Sequence, residues 1–472
     1  MAEPSAFPTA RPGVPENECG GGEAVLGPAP SNAKRGPGWG SWGPRPGAPE
    51  NECGGGEAVL GPAPSDDAPR AADYTRCIRC GLCLNACPTF RLLGEEMDSP
   101  RGRIYQVALA DAGRIGLEDG LRLHLDRCLD CRACETACPS GVPYGAILER
   151  ARAGLRAARP FARWQQWLFT GLLPHAGRRR AAARLLRLAQ RTGLDRLAPA
   201  RLRRLAPPLL APPFDARREP VEAFPPVRAR VLFLPGCAQC ELLPELNRAT
   251  VRVLARQGCE VVMPPAFGCC GALHVHAGLR QQARALARAN LAALEPLAAS
   301  AAAVIVNAAG CGAALKAYGD LLESDAAWRP RALAFAARVR DVTEFLDQLG
   351  LRPELLGPLP AVATYQDACH LAHAQGVRAA PRNLLRQIPA LELRELERAD
   401  QCCGSAGVYN LTQPDLARQL LADRVEVFRR TGATILATAN PGCSLQLASA
   451  LPPPVTVAHV VELLDQSHRA AL

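Results

Sequence analysis

Residues 77–88 read CIRCGLCLNACP, and residues 128–139 read CLDCRACETACP. Both follow one spacing, Cys-x2-Cys-x2-Cys-x3-Cys-Pro. It falls on Cys77, Cys80, Cys83 and Cys87, and again on Cys128, Cys131, Cys134 and Cys138. Three thiolates two residues apart wrap a tight loop around one set of corners of a [4Fe–4S] cube. The fourth stands at the start of a departing helix and reaches the other cube. The predicted ligand sets are therefore Cys77, Cys80, Cys83 with Cys138, and Cys128, Cys131, Cys134 with Cys87. Proline after each fourth cysteine turns the chain away, and Gly81 is expected to leave room for backbone beside the cube. A zinc site needs four ligands, and eight in two matching runs overshoot it.

Further along, a second pattern is doubled. Cys237, Cys269-Cys270-Gly271 and Cys311 are matched by Cys369, Cys402-Cys403-Gly404 and Cys443. The gaps are 32, 1 and 41 positions against 33, 1 and 40. Each copy opens with a β-like run, Val231–Leu234 or Val362–Tyr365, that leads to its first cysteine. A second β-like run, 303–306 (AVIV) or 434–438 (TILAT), precedes its last. The stretches 279–297 and 415–429 have helical spacing of Leu, Ala and Val. The copies end alike, in 341–346 (DVTEFL) and 459–464 (HVVELL). Strands alternating with helices predict a mostly parallel sheet in each copy.

Adjacent side chains diverge, so a Cys-Cys pair suits a site with several metal atoms, or a redox dithiol, better than one tetrahedral ion. The candidate ligands are Cys237, Cys269, Cys270 and Cys311 in one unit and Cys369, Cys402, Cys403 and Cys443 in the other. Cys311 and Cys443 follow Gly310 and Gly442 at expected helix starts, where thiolate is favoured. Cys259 reads as core packing and Cys240 as a candidate extra ligand. His274 and His276, and His370 and His373, lie beside these cysteines and are candidates for carrying protons to an acceptor such as a quinone.

The fold class expected is α+β: a helical, ferredoxin-like domain for two [4Fe–4S] clusters, then two repeated α/β units. The division is 1–72, a Gly/Pro-rich tail; 73–149, the two-cluster domain; 150–228, an Arg-rich helical segment and Pro-rich linker; 229–350 and 361–472, the two Cys-Cys-Gly units. The tail contains a repeat, RPGVPENECGGGEAVLGPAPS at 11–31 and RPGAPENECGGGEAVLGPAPS at 45–65. It has no amphipathic period and too few large apolar residues to offset chain entropy. It reads as disorder, or as a start codon assigned too early, rather than as a binding site at Cys19 and Cys53.

The 472 residues include 20 cysteines, whereas disulfide scaffolds are short and secreted. Met1-Ala-Glu-Pro-Ser has neither a basic nor an apolar leader region, so no secretory signal is expected. The uncharged stretches 296–315 and 431–461 carry breakers that fit strand–turn–helix joints rather than membrane spans. The net charge of +10 comes from one segment: residues 150–212 hold fifteen Arg against the single acid Asp195. There Trp164, Trp167, Leu168, Phe169, Leu172 and Leu173 are interleaved with Arg159, Arg163 and Arg178–Arg180. This segment either lies on an anionic membrane surface or is a helix with a solvated Arg face.

These residues resemble the iron–sulfur subunit of bacterial glycolate oxidase. The resemblance runs through 77–103 (CIRCGLCLNACPTFRLLGEEMDSPRGR), 124–145 (HLDRCLDCRACETACPSGVPYG), 236–239, 268–278 (GCCGALHVHAG) and 307–312 (NAAGCG). It continues through 365–372 (YQDACHLA) and 401–409 (QCCGSAGVY), and covers about residues 73–470. The DSPRGR stretch and the surroundings of both Cys-Cys pairs are its most specific parts. It implies an electron-carrying subunit, with FAD-containing partner subunits that oxidise glycolate to glyoxylate and the membrane quinone pool as acceptor. It also implies a cytoplasmic location, peripheral on the inner face of the membrane, with the two [4Fe–4S] clusters and a further iron–sulfur centre in the Cys-Cys-Gly units.

The wider family, including heterodisulfide reductase, often ends each such unit in CxxC. Here Cys311-Gly-Ala-Ala314 and Cys443-Ser-Leu-Gln446 lack the last cysteine, which leaves the cluster type open. The alternatives are the iron–sulfur subunit of a D-lactate or glycerol-3-phosphate dehydrogenase, or a heterodisulfide-reductase-like enzyme. No convincing G-x-G-x-x-G follows a strand and there is no Walker A motif, so a flavin or nicotinamide site is not expected in this chain. Nucleic acid is not an expected partner, because the cysteine runs do not fit a zinc module.

Overall fold

Two four-stranded sheets carry the larger part of the chain. The first contains β1 (Ala229–Phe233), β2 (Cys259–Val262), β3 (Ala303–Val306) and β4 (Val339–Asp341). The second contains β5 (Ala361–Tyr365), β6 (Leu391–Arg394), β7 (Ile435–Thr438) and β8 (Thr456–His459). The orders are β2-β1-β3-β4 and β6-β5-β7-β8, and every pair is parallel. The expected parallel sheets and the α+β class are therefore both present. The strands predicted from apolar runs are the four central ones. The edge strands are short and partly polar, such as 391–394 (LELR), and have no such run.

The computed structural model describes residues 67–116, 120–199, 203, 207, 209–216, 219, 221–265 and 267–472. The repeat with Cys19 and Cys53 lies outside the described residues. Among the described residues, no helix is long and apolar enough to cross a membrane. The two uncharged stretches are helix–strand–helix joints built around β3 and β7.

In each sheet the chain leaves the first strand towards one edge and later returns to its other side. The carboxyl ends of the two central strands therefore face a crevice with no crossover above it, the usual ligand position in such sheets. Cys237 follows Phe233 by four residues and Cys311 follows Val306 by five. Cys369 and Cys443 stand four and five residues beyond Tyr365 and Thr438. The matching ends 341–346 and 459–464 are also explained. Asp341 Oδ1 accepts from Thr343 N at 2.8 Å and His459 Nδ1 from Val461 N at 3.1 Å. Each caps its helix while Glu344 or Glu462 reaches back to the cap amide.

The two units are not separate bodies. One apolar layer combines Val231 and Phe233 of β1 with Ala363 and Tyr365 of β5, and with Leu254, Leu346, Leu384, Val461 and Leu464 from helices of both. A second core covers the other face of each sheet, and that of the second unit also takes in Ala309 of the first.

The N-terminal part is helical. Pro88–Leu93 departs directly after Cys87, with proline at its first position. Pro100–Asp111 is capped by Ser99, whose Oγ accepts from Gly102 N at 2.9 Å. Leu121–Arg127 and Tyr144–Ala158 complete a core of Ile104, Val107, Leu125, Ile147, Leu148 and Leu155.

Two segments pack more closely than their composition suggests. Residues 67–72, grouped with the tail on composition, pack on the first unit. Asp67 pairs with Arg280 at 2.8 Å and with Arg284 at 2.7 Å, and Ala68 is buried. The Arg-rich segment is also not one solvated face. Arg150, Arg152 and Arg179 are buried, and Arg152 donates to the carbonyls of Leu125, Cys128 and His276. Of the interleaved apolar residues, Phe169 is buried, stacked on Phe161 at 5.3 Å, whereas Trp164 and Trp167 are exposed.

Among the described residues, Asp67→Ala leaves buried Arg280 with Glu149 as its remaining ion-pair partner. It should lower unfolding stability by about 1–3 kcal/mol, read by thermal unfolding under anaerobic conditions with iron content unchanged.

Candidate metal centres

Both cysteine loops share one backbone. Arg79 and Gly81 in the first, and Asp130 and Arg132 in the second, have φ of 57°, 84°, 52° and 60°. Left-handed residues in such turns aim backbone N–H groups into a concavity suited to an anion. Three of the four are not glycine, at about 1–3 kcal/mol of strain each. Gly81 thus meets a conformational demand. Arg132 meets the same demand at the equivalent position of the second loop.

The loops enclose two cavities. Cys77, Cys80, Cys83, Cys134 and Cys138 line one; Cys87, Cys128, Cys131 and Cys134 line the other. The fourth cysteines cross over, Cys138 to the first loop and Cys87 to the second. Burial raises the Cys83 thiol to about 11. It raises Cys131 and Cys134 well above the ordinary range, with the neighbouring Cys369 and Cys131 sulfurs adding to the effect. Buried thiols crowded in this way become thiolates when a multivalent cation holds them. With Cys134 on both walls, five cysteines around the first cavity and four around the second fit iron–sulfur cubes.

The stretch 98–103 (DSPRGR) reaches both cavities, with Pro100 and Arg101 on the first and Pro100 and Arg103 on the second. Arg103 is buried and pairs with buried Asp98 at 3.0 Å. It also donates to Thr89 Oγ1 at 3.0 Å and His124 O at 2.7 Å, and its Nη1 lies 3.9 Å from Cys87 Sγ. Burial alone would raise the Asp98 carboxyl. The close approach of His124, at 3.1 Å, and the charge of Arg103 instead hold it below the usual carboxylate range. Pro100 and Ser99 start the helix, and a side chain on Gly102 would meet Glu96 O at 1.9 Å. Tyr144 Oη donates to Cys128 Sγ at 3.5 Å. Sequence reasoning missed Tyr144 and Arg152 as supports, and their only signal was membership of, or nearness to, the family-like stretch 124–145.

In the first α/β unit, Cys237 Sγ lies 3.8 Å from Cys269 Sγ, and Cys270 Sγ lies 3.3 Å from Cys311 Sγ. In the second, Cys369 meets Cys402, Cys402 meets Cys403, and Cys403 meets Cys443. Four sulfurs gather in each. Contact with Cys269, then burial, raises Cys237, and contact with Cys402, then burial, raises Cys369. Gly271 and Gly404 have φ of 86° and 85°, and a Cβ on Gly404 would sit 2.8 Å from Ala417 O. The vicinal pairs therefore need the glycine that follows them. Cys311 and Cys443 each stand third in their helices, Ala309–Lys316 and Pro441–Ala448. The two sites adjoin, because Asn440 accepts from Gly310 N at 3.3 Å and donates to Cys443 Sγ at 3.6 Å. Cys240 lies 3.6 Å from Asn247 Nδ2 and packs on the shared core, as buried Cys259 does.

The histidines divide. His274 is wholly buried and donates to Phe169 O at 2.8 Å, so it anchors the Arg-rich segment and does not face a site. His276 Nδ1 donates to Asp130 Oδ2 at 2.6 Å, and its ring lies 4.9 Å from that of His370. Burial lowers His370 to about 3, which keeps it neutral. His373 donates to Asp400 O at 3.1 Å and accepts from Arg378 at 3.0 Å. Asp130, His276 and His370 thus mark the place where the second cysteine loop meets both α/β units. That loop is packed tightly there. Leu129, Cys131 and Ala133 share an apolar cluster with Cys402, Tyr409 and Leu416, and Tyr409 Oη donates to Arg127 O at 2.9 Å.

Two crossed four-cysteine loops beside two four-cysteine α/β sites define an iron–sulfur electron-transfer protein. Family models agree in kind: 4Fe-4S dicluster domain over residues 73–142, cysteine-rich domain over 231–316 and 363–448, and glycolate oxidase iron-sulfur subunit, linker region, over 160–211. The chain is 38% identical over 390 residues to a probable glycolate oxidase iron-sulfur subunit of Bacillus subtilis, covering 79% of this chain and 87% of that one. It is 36% identical over 397 residues to the glycolate oxidase iron-sulfur subunit of Escherichia coli, covering 83% and 93%. It is 28% identical over 416 residues to a subunit of the fumarate reductase (CoM/CoB) of Methanothermobacter marburgensis, covering 83% and 72%. The chain belongs to the family of glycolate oxidase iron–sulfur subunits.

Arg103→Met strips buried Asp98 of one partner while Arg127 and His124 remain. The expected loss is about 3 kcal/mol, the low end for breaking a buried pair. Arg127→Ala, at a partly exposed position, should cost about 1 kcal/mol. Anaerobic denaturant unfolding of the iron-loaded protein checks both.

Proposed function

We propose that this chain is the electron-transfer subunit of a complex that oxidises glycolate to glyoxylate. It takes electrons from an FAD-containing partner subunit and delivers them towards a quinone. The observation that carries this reading is the contiguity of the four-cysteine sites. The two loop cavities share Cys134 on their walls, Cys131 packs in one cluster with Cys402, and Asn440 links the surroundings of Cys311 and Cys443. Such a row suits electron transfer, which requires short steps.

When bound, an iron–sulfur cluster supplies a one-electron redox centre. In this reading Cys77, Cys80, Cys83 and Cys138 hold one cube, and Cys128, Cys131, Cys134 and Cys87 hold the other, within residues 73–149. The Cys-Cys-Gly units at 229–350 and 361–472 hold a further iron–sulfur centre through Cys237, Cys269, Cys270 and Cys311, and through Cys369, Cys402, Cys403 and Cys443. The rest of the chain tunes and shields these groups. Arg103 and Tyr144 direct donors at Cys87 and Cys128, and Leu129, Tyr409 and Leu416 keep water from the contact between loop and unit. The substrate-oxidising flavin site belongs to the partner chain.

The same reading places the complex in the cytoplasm, peripherally on the inner face of the membrane. Trp164 and Trp167 are 60% and 57% exposed. They lie beside exposed Arg163, and exposed Leu185 and Leu188 lie on the helix Ala176–Thr192 that carries Arg180, Arg184 and Arg191. Aromatic residues among arginines suit an anionic bilayer surface. The complex should sediment with anionic vesicles at low salt and be released at high salt. Salt-independent or absent binding removes this part of the reading.

The electron route is tested with Cys-to-Ser variants and EPR of the reduced protein. Any change among the eight loop cysteines should lose iron and destabilise the N-terminal domain. Cys270→Ser and Cys403→Ser together should leave both cube signals intact and abolish glycolate-dependent quinone reduction. Quinone reduction at the parental rate would make the Cys-Cys-Gly units structural. Cys402 is excluded from this pair because it packs on Leu129 and Cys131.

A further inference from the structure

The two cysteine loops are near-copies, and one is covered while the other is bare. Their backbones match through the left-handed positions, so their side chains correspond: Ile78 to Leu129, Cys80 to Cys131, and Leu82 to Ala133. In the second loop Leu129 is 5% exposed and Ala133 4%, seated on Cys402, Tyr409, Leu416 and Leu420 of the second α/β unit. In the first loop Ile78 is 69% exposed and Leu82 61%. Cys80 is exposed, whereas Cys131 is buried. Two large aliphatic side chains at the tip of a redox loop, with no cover among the described residues, form a surface whose twin is an interface.

We propose that the outer face of the first cysteine loop, centred on Ile78 and Leu82, is the docking surface for the flavin-carrying subunit that donates electrons to this chain. The inference rests on the function proposed above. The second loop is closed off by the second α/β unit, so an electron donor cannot dock on its equivalent face. The first loop is open, and it brings a ligand cysteine to the surface.

The rim gives the partner's chemistry. Arg76 and Arg79 are exposed beside Ile78. Arg79 stacks over the half-exposed ring of Tyr105, 4.8 Å from its centroid. Arg101, whose guanidinium holds Arg79 O at 3.1 Å, already binds Glu96 through two contacts of 2.7 and 3.1 Å. The face is thus apolar at its centre and positive at its edge. It fits a partner with an apolar patch ringed by Asp and Glu. A second copy of this chain would set Arg76 and Arg79 against their own images across a two-fold contact, where like charges repel.

The test uses the full chain with its clusters and the flavoprotein subunits of its complex. Ile78→Glu with Leu82→Glu should keep parental iron content and parental EPR signals after dithionite reduction. Reduction of the clusters by the glycolate-reduced flavoprotein, followed by stopped flow, should slow at least about tenfold, as expected for removing the centre of an interface. Arg79→Asn, a residue that tolerates the left-handed backbone, should lower the association rate a fewfold and flatten its salt dependence. Should the double variant lose iron, Leu82→Ser and the Arg79→Asn salt series carry the test alone. Parental rates in all these variants overturn the docking surface and leave the proposed function standing. Failure of the parental protein to accept electrons from the glycolate-reduced flavoprotein overturns the function itself. Slowed self-association with an unchanged reduction rate assigns the face to a second copy and also overturns the proposal.

Discussion

The apolar layer between the two α/β units is the constraint on which the other sites depend. Phe233 and Tyr365 from the two central strands, with Leu254, Leu346, Leu384 and Leu464 from the covering helices, form one core. Each fully buried side chain of this size contributes about 1.5–3 kcal/mol, so the units cannot separate without most of the body unfolding. Once they are joined, the loops after β3 and β7 meet. Ala309 N donates to Ala439 O at 3.3 Å, and Gln375 holds Ala309 O at 2.9 Å. Two crevices that each sheet would form alone thereby become neighbours, with Asn440 between them.

The N-terminal loops are held by buried charge as much as by apolar contact. Arg103 under the second cavity and Arg152 on three carbonyls are enclosed by protein, and Arg132, paired with Glu149, is partly so. A buried ion pair seldom adds stability relative to an apolar pair, but losing one partner is costly. These arginines therefore act as pins for the strained positions Asp130 and Arg132 and for the carbonyls of the cysteine loop. His276 on Asp130 extends the same network into the first α/β unit. The positive charge also faces the sulfurs. Charge and hydrogen bonds near a cluster are among the levers that set its potential.

Most of what could be read in advance was local. The spacing of Cys77 to Cys87 and of Cys128 to Cys138 fits loops closed by a few backbone torsions. The runs at 231–234, 303–306, 362–365 and 434–438 needed only apolar content to be recognised as central strands. The edge strands were illegible because a short strand such as 391–394 is specified by its neighbour, not by its own pattern. His274 shows the opposite failure. Beside a Cys-Cys pair it looks like site chemistry, yet its partner is the carbonyl of Phe169, more than a hundred positions away. Gly81 reads as room for backbone beside a cube, and the left-handed φ it shares with Arg132 is a conformational demand that the sequence does not display.

By itself the sequence determined the cysteine spacing, the duplication and the parallel sheets. Ligand spacing and strand–helix alternation act over a few residues, where covalent geometry and periodicity leave little choice. The tertiary structure alone decided which loop is covered and which is bare, which arginines are buried, and that the two units share one core. Leu129 and Ile78 occupy equivalent places in near-identical motifs. Only the arrival of Tyr409 and Leu416 from nearly three hundred residues downstream makes one of them interior. Burial is a property of two surfaces meeting, and no single stretch of chain encodes both.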